Sequence, residues 1–149
     1  MQNAVSSEKL FEFHFPAKPE RLCLVRALVK RSAEVLGCCE ELADKLVIAL
    51  NEACMNVIQH AYKFDDSGEI MLEILNNDSQ VVFRLTDRAK LIDLEKVNPR
   101  DLEDVRPGGL GVHFIREIMD ECDMGHLPNG EGNYLEMTKT IYKLSLIVI

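Results

Sequence analysis

EIMLEILNNDSQVVFRLT, residues 69–86, decides the fold. Apolar and polar side chains alternate on both sides of NNDS, with Ile70, Leu72 and Ile74 in one run and Val81, Phe83 and Leu85 in the other. A period of two marks a strand with one buried face. Two such runs joined by a four-residue turn predict an antiparallel hairpin over 69–75 and 80–86.

Toward the N-terminus the period becomes helical. Leu22, Val25, Leu28, Val29 and Leu36 recur at helical spacing with basic residues opposite them. Pro19 sits near the start of that helix and Gly37 ends it. A second helix runs from about Glu40 to about Ala61. Before both, LFEFHF (10–15) alternates again, with Phe11, Phe13 and Phe15 on one side and Glu12 and His14 on the other.

Toward the C-terminus, residues 88–107 mix acids, prolines and apolar residues and read as a long surface loop carrying a short helical turn. PGGLGVHFIREIMDE (107–121) reads as a glycine-rich turn feeding a helix. LPNGEG is a turn, and NYLEMTKTIYKLSLIVI supplies one or two more strands. The order β-α-α-β-β-loop-α-β(β) predicts an α+β two-layer sandwich, a mixed, mostly antiparallel sheet packed on about three helices. Residues 1–149 read as one domain, with 1–8 outside its ordered part.

Composition narrows the function. The 149 residues are 47% hydrophobic and 28% charged, with a net charge of −8. Such a chain is poorly suited to phosphate backbones or anionic lipid surfaces. No segment reaches the roughly 20 apolar residues of a membrane span, and MQNAVSSEKL lacks the features of a signal peptide. The five cysteines form no CxxC pair, and Cys38 and Cys39 are adjacent. They read as reduced thiols of a cytoplasmic protein.

Three places carry candidate chemistry. In NEACMNVIQHAY (51–62), Glu52, Asn56 and His60 recur every four residues beside the apolar arc of Leu46, Ala49, Leu50, Ala53 and Val57. Taken alone, Glu52 and Asn56 fit a polar pair at the core boundary as well as a cleft wall. His60 fits a structural hydrogen bond to a nearby carbonyl. In TDRA (86–89), Asp87 ends a strand. At 108–111, Gly108, Gly109 and Gly111 open a helix whose free N–H groups suit a phosphate.

In this order, the three places closely resemble the GHKL (Bergerat-fold) ATPases, and among these the anti-sigma-factor serine/threonine kinases. ALNEACMNVIQHAY resembles their N-box, LTDRA the start of their G1 region, PGGLGVHFIREIMDE their G2 region and GEGNYLEMTKTI their closing strand. The likeness runs from about residue 10 to 142. It implies ATP and Mg2+ as cofactors, Glu52 as general base and Asn56 as Mg2+ ligand. It implies that Asp87 accepts from the adenine amino group. Gly109, Leu110, Gly111 and Val112 then face the phosphates, and 88–107 is the ATP lid. Lys90, Arg106 and His113 are further phosphate candidates. Where the family has Asp-x-Gly, this chain has Ala89.

The resemblance also implies partners: an anti-sigma-factor antagonist of STAS type bearing the target hydroxyl, a sigma factor or similar regulator, and a second copy in a homodimer. The alternatives are a binding module of the same fold with weakened catalysis, which switches partners only, and the ATPase domain of a sensor histidine kinase. The chain has no room for a helical domain bearing a phosphoacceptor histidine.

Overall fold

In the computed structural model, residues 7–94 and 110–141 are described. Strand β1 (Glu8–Pro16) leads through a 3-10 turn at Pro19–Arg21 into helix α1 (Leu22–Val35). Helix α2 (Glu40–Asn56) follows, then the hairpin of β2 (Glu69–Asn76) and β3 (Gln80–Asp87). Helix α3 (Leu110–Ile118), β4 (Glu121–His126) and β5 (Asn133–Thr140) complete the order.

The five strands form one sheet in the order β1-β2-β3-β5-β4. Every pairing among them is antiparallel, so the mixed sheet expected from sequence is corrected. In the hairpin, Leu72 faces Leu85 and Ile74 faces Phe83. The turn is one residue shorter than NNDS, because Asn76 joins β2 and pairs with Val81.

The α+β two-layer reading holds. Ile70, Leu72, Ile74, Val81, Phe83, Leu85 and Met137 form the buried face of the sheet. Val25 and Val29 of α1, with Leu46, Leu50 and Ala53 of α2, are buried in the same core cluster. Phe11, Phe13 and Phe15 oppose Ile74, Leu72 and Ile70, so they share that face. Burial fades toward the strand's outer end, leaving Phe11 exposed while Phe15 is buried. The opposite face carries Glu12, His14, Glu73, Arg84, Tyr134 and Glu136, with the Arg84 guanidinium 5.2 Å from the centre of the Tyr134 ring.

The ends of α1 follow from its sequence. Gly37 takes a φ of 87°, its N–H donates to Glu34 O, and the Cys38 N–H reaches back to Ala33 O. This is a Schellman cap, which needs a left-handed residue where glycine stands. Two further features differ from the sequence expectation. The helix continuing from α2 is a π-helical turn over Val57–Ala61. The helix expected over 107–121 stops at Ile118, and ECDMGH becomes edge strand β4, with Cys122 opposite Met137 and Met124 opposite Leu135. The tail 142–149, expected as a strand, lies outside the described residues, as do 95–107 of the expected lid. Strand β1 begins at Glu8, at the edge of the segment expected to be disordered.

Candidate active site

The end of α2, its π turn, α3 and the ends of β3, β4 and β5 enclose a cavity of about 200 Å³. Val57, Ala61, Leu85, Ile92, Ile115 and Leu135 give it apolar walls. Asn56, His60, Arg116 and Asn133 also line it, and Asp87 is the one carboxylate among its described lining residues. A π turn at this point widens the helix by one residue per turn, a device often found at functional sites. It brings both His60 and Ala61 onto the cavity wall.

Asp87 is 5% exposed at the last position of β3. Its Oδ1 accepts from the Asn133 Nδ2 at 3.0 Å and from the Ala89 N–H at 3.0 Å. Burial pushes its carboxyl above the ordinary carboxylate range, and these donors pull in the opposite direction. The segment after it is closely held. The Tyr62 hydroxyl accepts from the Arg88 N–H at 2.8 Å and donates to Glu69 O at 2.6 Å. The Arg88 side chain turns outward to Glu131 at 3.0 Å.

Asn56 and Asp87, far apart in sequence, therefore meet at one cavity. Glu52 lies one turn before Asn56, half-buried, and is not among the cavity-lining residues. Ala89 is buried, does not line the cavity, and is not among the described non-glycine residues with positive φ. The position that is glycine in the expected pattern thus has a backbone an alanine adopts without strain. Lys90 is exposed. Leu110 and Gly111 begin α3 and Val112 and His113 follow in it, whereas Gly108, Gly109 and Arg106 lie outside the described residues.

Sequence reasoning misjudged or missed three residues. His60, read as a structural hydrogen-bonder, is exposed and lines the cavity, and its side chain makes no hydrogen bond to another described residue. Arg116 and Asn133 were not singled out. For Asn133 a signal existed: a carboxamide at the first position of a strand that the hydrophobic pattern buries.

An apolar, partly enclosed cavity with one buried carboxylate among its described lining residues is the kind of place that holds a small organic ligand bearing a hydrogen-bond donor. Known proteins give that description a family. A family model of the histidine kinase-like ATPase domain matches residues 15–139. Serine-protein kinase RsbW of Listeria monocytogenes serotype 4a (strain HCC23) is 35% identical, with 85% of this chain and 83% of that protein covered. Serine-protein kinase RsbW of Oceanobacillus iheyensis is 30% identical over 92% of this chain and 90% of that protein. The fold is shared with a chain of the SiaB–SiaC complex from Pseudomonas aeruginosa, at a TM-score of 0.63 and 14% identity, covering 93% and 94% of the two chains.

The chain belongs to the histidine kinase-like ATPase family. Its activity, as that membership and these relatives define it, is ATP-dependent phosphorylation of protein serine or threonine, as the sequence resemblance implied. No helix among the described residues is long and apolar enough to cross a membrane.

Proposed function

We propose that the cavity takes the adenine of ATP, and that the chain transfers the γ-phosphate to a hydroxyl of a small STAS-type anti-sigma-factor antagonist. The single observation that carries this is Asp87, a buried carboxylate on an otherwise largely apolar cavity that Asn56 also lines. Pockets that enclose drug-sized ligands run to about 300–1,000 Å³, so this smaller cavity suits a base rather than a whole nucleotide. A carboxylate there accepts from the adenine amino group and opposes the keto oxygen of guanine.

Bound Mg-ATP supplies the phosphoryl group and the charge that neutralises it. Asn56 offers a neutral, hard carboxamide oxygen to the Mg2+. Glu52, about 6 Å further back along the helix axis and outside the base cavity, accepts the proton of the incoming hydroxyl. Backbone N–H groups of Gly109, Leu110, Gly111 and Val112 donate to the phosphates, and the helix dipole adds to that attraction. Ala89 contributes its backbone N–H to Asp87 instead of touching the base. The serine-protein kinase relatives support a protein hydroxyl as the acceptor. A sequestered sigma factor, a homodimer and a cytoplasmic setting complete the reading.

Incubation with labelled ATP, Mg2+ and the purified antagonist tests it. Label is expected on the antagonist's hydroxyl, and Glu52→Ala is expected to abolish transfer while leaving calorimetric binding of Mg-ADP intact. No transfer by the wild-type chain would refute the kinase mechanism.

A further inference from the structure

Asn133 is 3% exposed, opens β5 and stands opposite Asp87, which closes β3. Both polar atoms of its carboxamide are committed. Nδ2 donates to Asp87 Oδ1 at 3.0 Å and to Lys90 O at 3.2 Å, and Oδ1 accepts from the Ile92 N–H at 3.0 Å. The Ile92 carbonyl accepts in turn from the His126 Nε2 at 2.8 Å. One buried amide thus binds the cavity's carboxylate and two backbone groups of the segment that leaves β3. The cavity is lined by members of all three parts, Asp87, Asn133 and Ile92.

We propose that Asn133 is a positioning residue for the nucleobase, holding Asp87 as an ionised acceptor and tying occupancy of the cavity to the backbone at Lys90 and Ile92. This rests on the reading of Asp87 as the adenine acceptor. A purine amino group needs a lone pair on Asp87, which the ionised carboxylate always offers. Burial opposes that ionisation, and the N–H groups of Asn133 and Ala89 favour it.

The other titratable or charged groups around Asp87 do not replace those donors. Tyr62 and His60 come from the end of the α2 segment, Arg116 from α3, and Cys122 and His126 from β4. None of them makes a described hydrogen bond or ion pair to Asp87, and Arg88 beside it is engaged by Glu131. The Asp87 charge therefore leans on neutral donors, and removing one moves its titration upward. The same amide fixes Ile92, a wall of the cavity, so a base that presses on Asp87 is felt at the Ile92 amide.

The experiment is calorimetric ADP binding between pH 5 and 8.5 for the wild type, Asn133→Leu, Asn133→Asp and Asp87→Asn. Hydrogen exchange at the Ile92 amide is measured with and without ADP. In the wild type, affinity falls as acid protonates Asp87. In Asn133→Leu the midpoint of that fall is expected about one to two pH units higher. In Asn133→Asp, which keeps the side-chain shape and sets a second carboxylate against Asp87, the rise is at least as large. ADP is expected to slow Ile92 exchange in the wild type and not in either variant.

An unmoved midpoint, or Ile92 still protected by ADP, in either variant with a wild-type circular dichroism spectrum would overturn the proposal. If Asn133→Leu does not fold, the same-shape Asn133→Asp variant reads both outcomes alone. Failure of the underlying adenine reading looks different: the wild type and Asp87→Asn would bind ADP equally at every pH.

Discussion

Gly132 packs so closely on the end of β3 that a Cβ there would fall inside the carbonyl oxygen of Asp87. Its φ of 152° lies at the edge of the range side chains rarely adopt. The turn before β5 thus approaches the backbone of the cavity's carboxylate as only glycine allows. Gly132→Ala is expected to destabilise the chain by about 2–4 kcal/mol, through overpacking and backbone strain. Urea unfolding reads the stability, and a parallel loss of ADP affinity shows that the displaced group is Asp87.

Tyr62 connects the two halves of the site from the other side. Its hydroxyl joins Glu69 O to the Arg88 N–H, and its ring fills the space over Gly68, where any Cβ would collide with it. Tyr62→Phe keeps the ring and leaves both backbone partners to water. A cost of about 0.5–1.5 kcal/mol is expected, measured as a lowered urea midpoint.

Ala89→Gly restores the pattern of the resembling family, and no gain in nucleotide affinity is expected. Ala89 lies away from the cavity wall, and the group that acts there is its N–H on Asp87, which glycine also has. Stability should fall by about 0.4–1 kcal/mol, because glycine widens the unfolded ensemble. A rise in ADP affinity on calorimetry would show that the methyl group obstructs the base after all.

Stability should vary with pH through a cluster on the uncovered sheet face. His14 lies 2.6 Å from Glu12 and 3.1 Å from Glu69, and Glu12 also pairs with Lys9 at 2.7 Å. Hydrogen bonds to Glu12 and then Glu69 raise the His14 pKa above its ordinary 6.5. Its contribution is therefore fully present below 6.5 and lost as pH rises through the raised value. Hydrogen bonds from Lys9 and then His14 lower Glu12 from 4.5 to about 2. That contribution is present above 4.5 and lost as pH falls toward 2. Both act together between those limits, and each is small at so exposed a surface. His14→Gln is expected to flatten the alkaline side of the urea-midpoint profile and to shrink the acid side to what Lys9 alone supplies at Glu12.

The hairpin, both long helices and the α+β class were legible because their apolar periods, two and 3.6, run unbroken over whole elements. Strand β4 was not. Cys122 and Met124 are the only apolar residues on its inner face, its Gly125 lies under the Tyr134 ring, and it follows a helix whose pattern runs straight into it. The π turn was equally hidden, since one inserted residue shifts which side chains face the cavity without altering composition. That shift is why His60 was placed wrongly. Glu52, Asn56 and Asp87 stood out as polar residues at apolar boundaries, and the cavity unites the last two. Asn133 escaped because a polar residue after a glycine turn looks like more turn, and its partners are up to 46 positions away.

That separation has an evolutionary side. Asp87 and Asn133 share a rung of the ladder, so the chain between them departs from and returns to one place, taking in α3 and edge strand β4 on the way. Such an excursion is a cassette. Its ends are stapled by strand pairing and by the Asn133 amide, and doubling the length of a loop costs only about 0.6 kcal/mol of closure entropy. A longer or rewritten connection between β3 and α3 therefore leaves the β1-β2-β3 hairpin stack and its two long helices as they are, whereas Ile115 and Met119 tie α3 to their core.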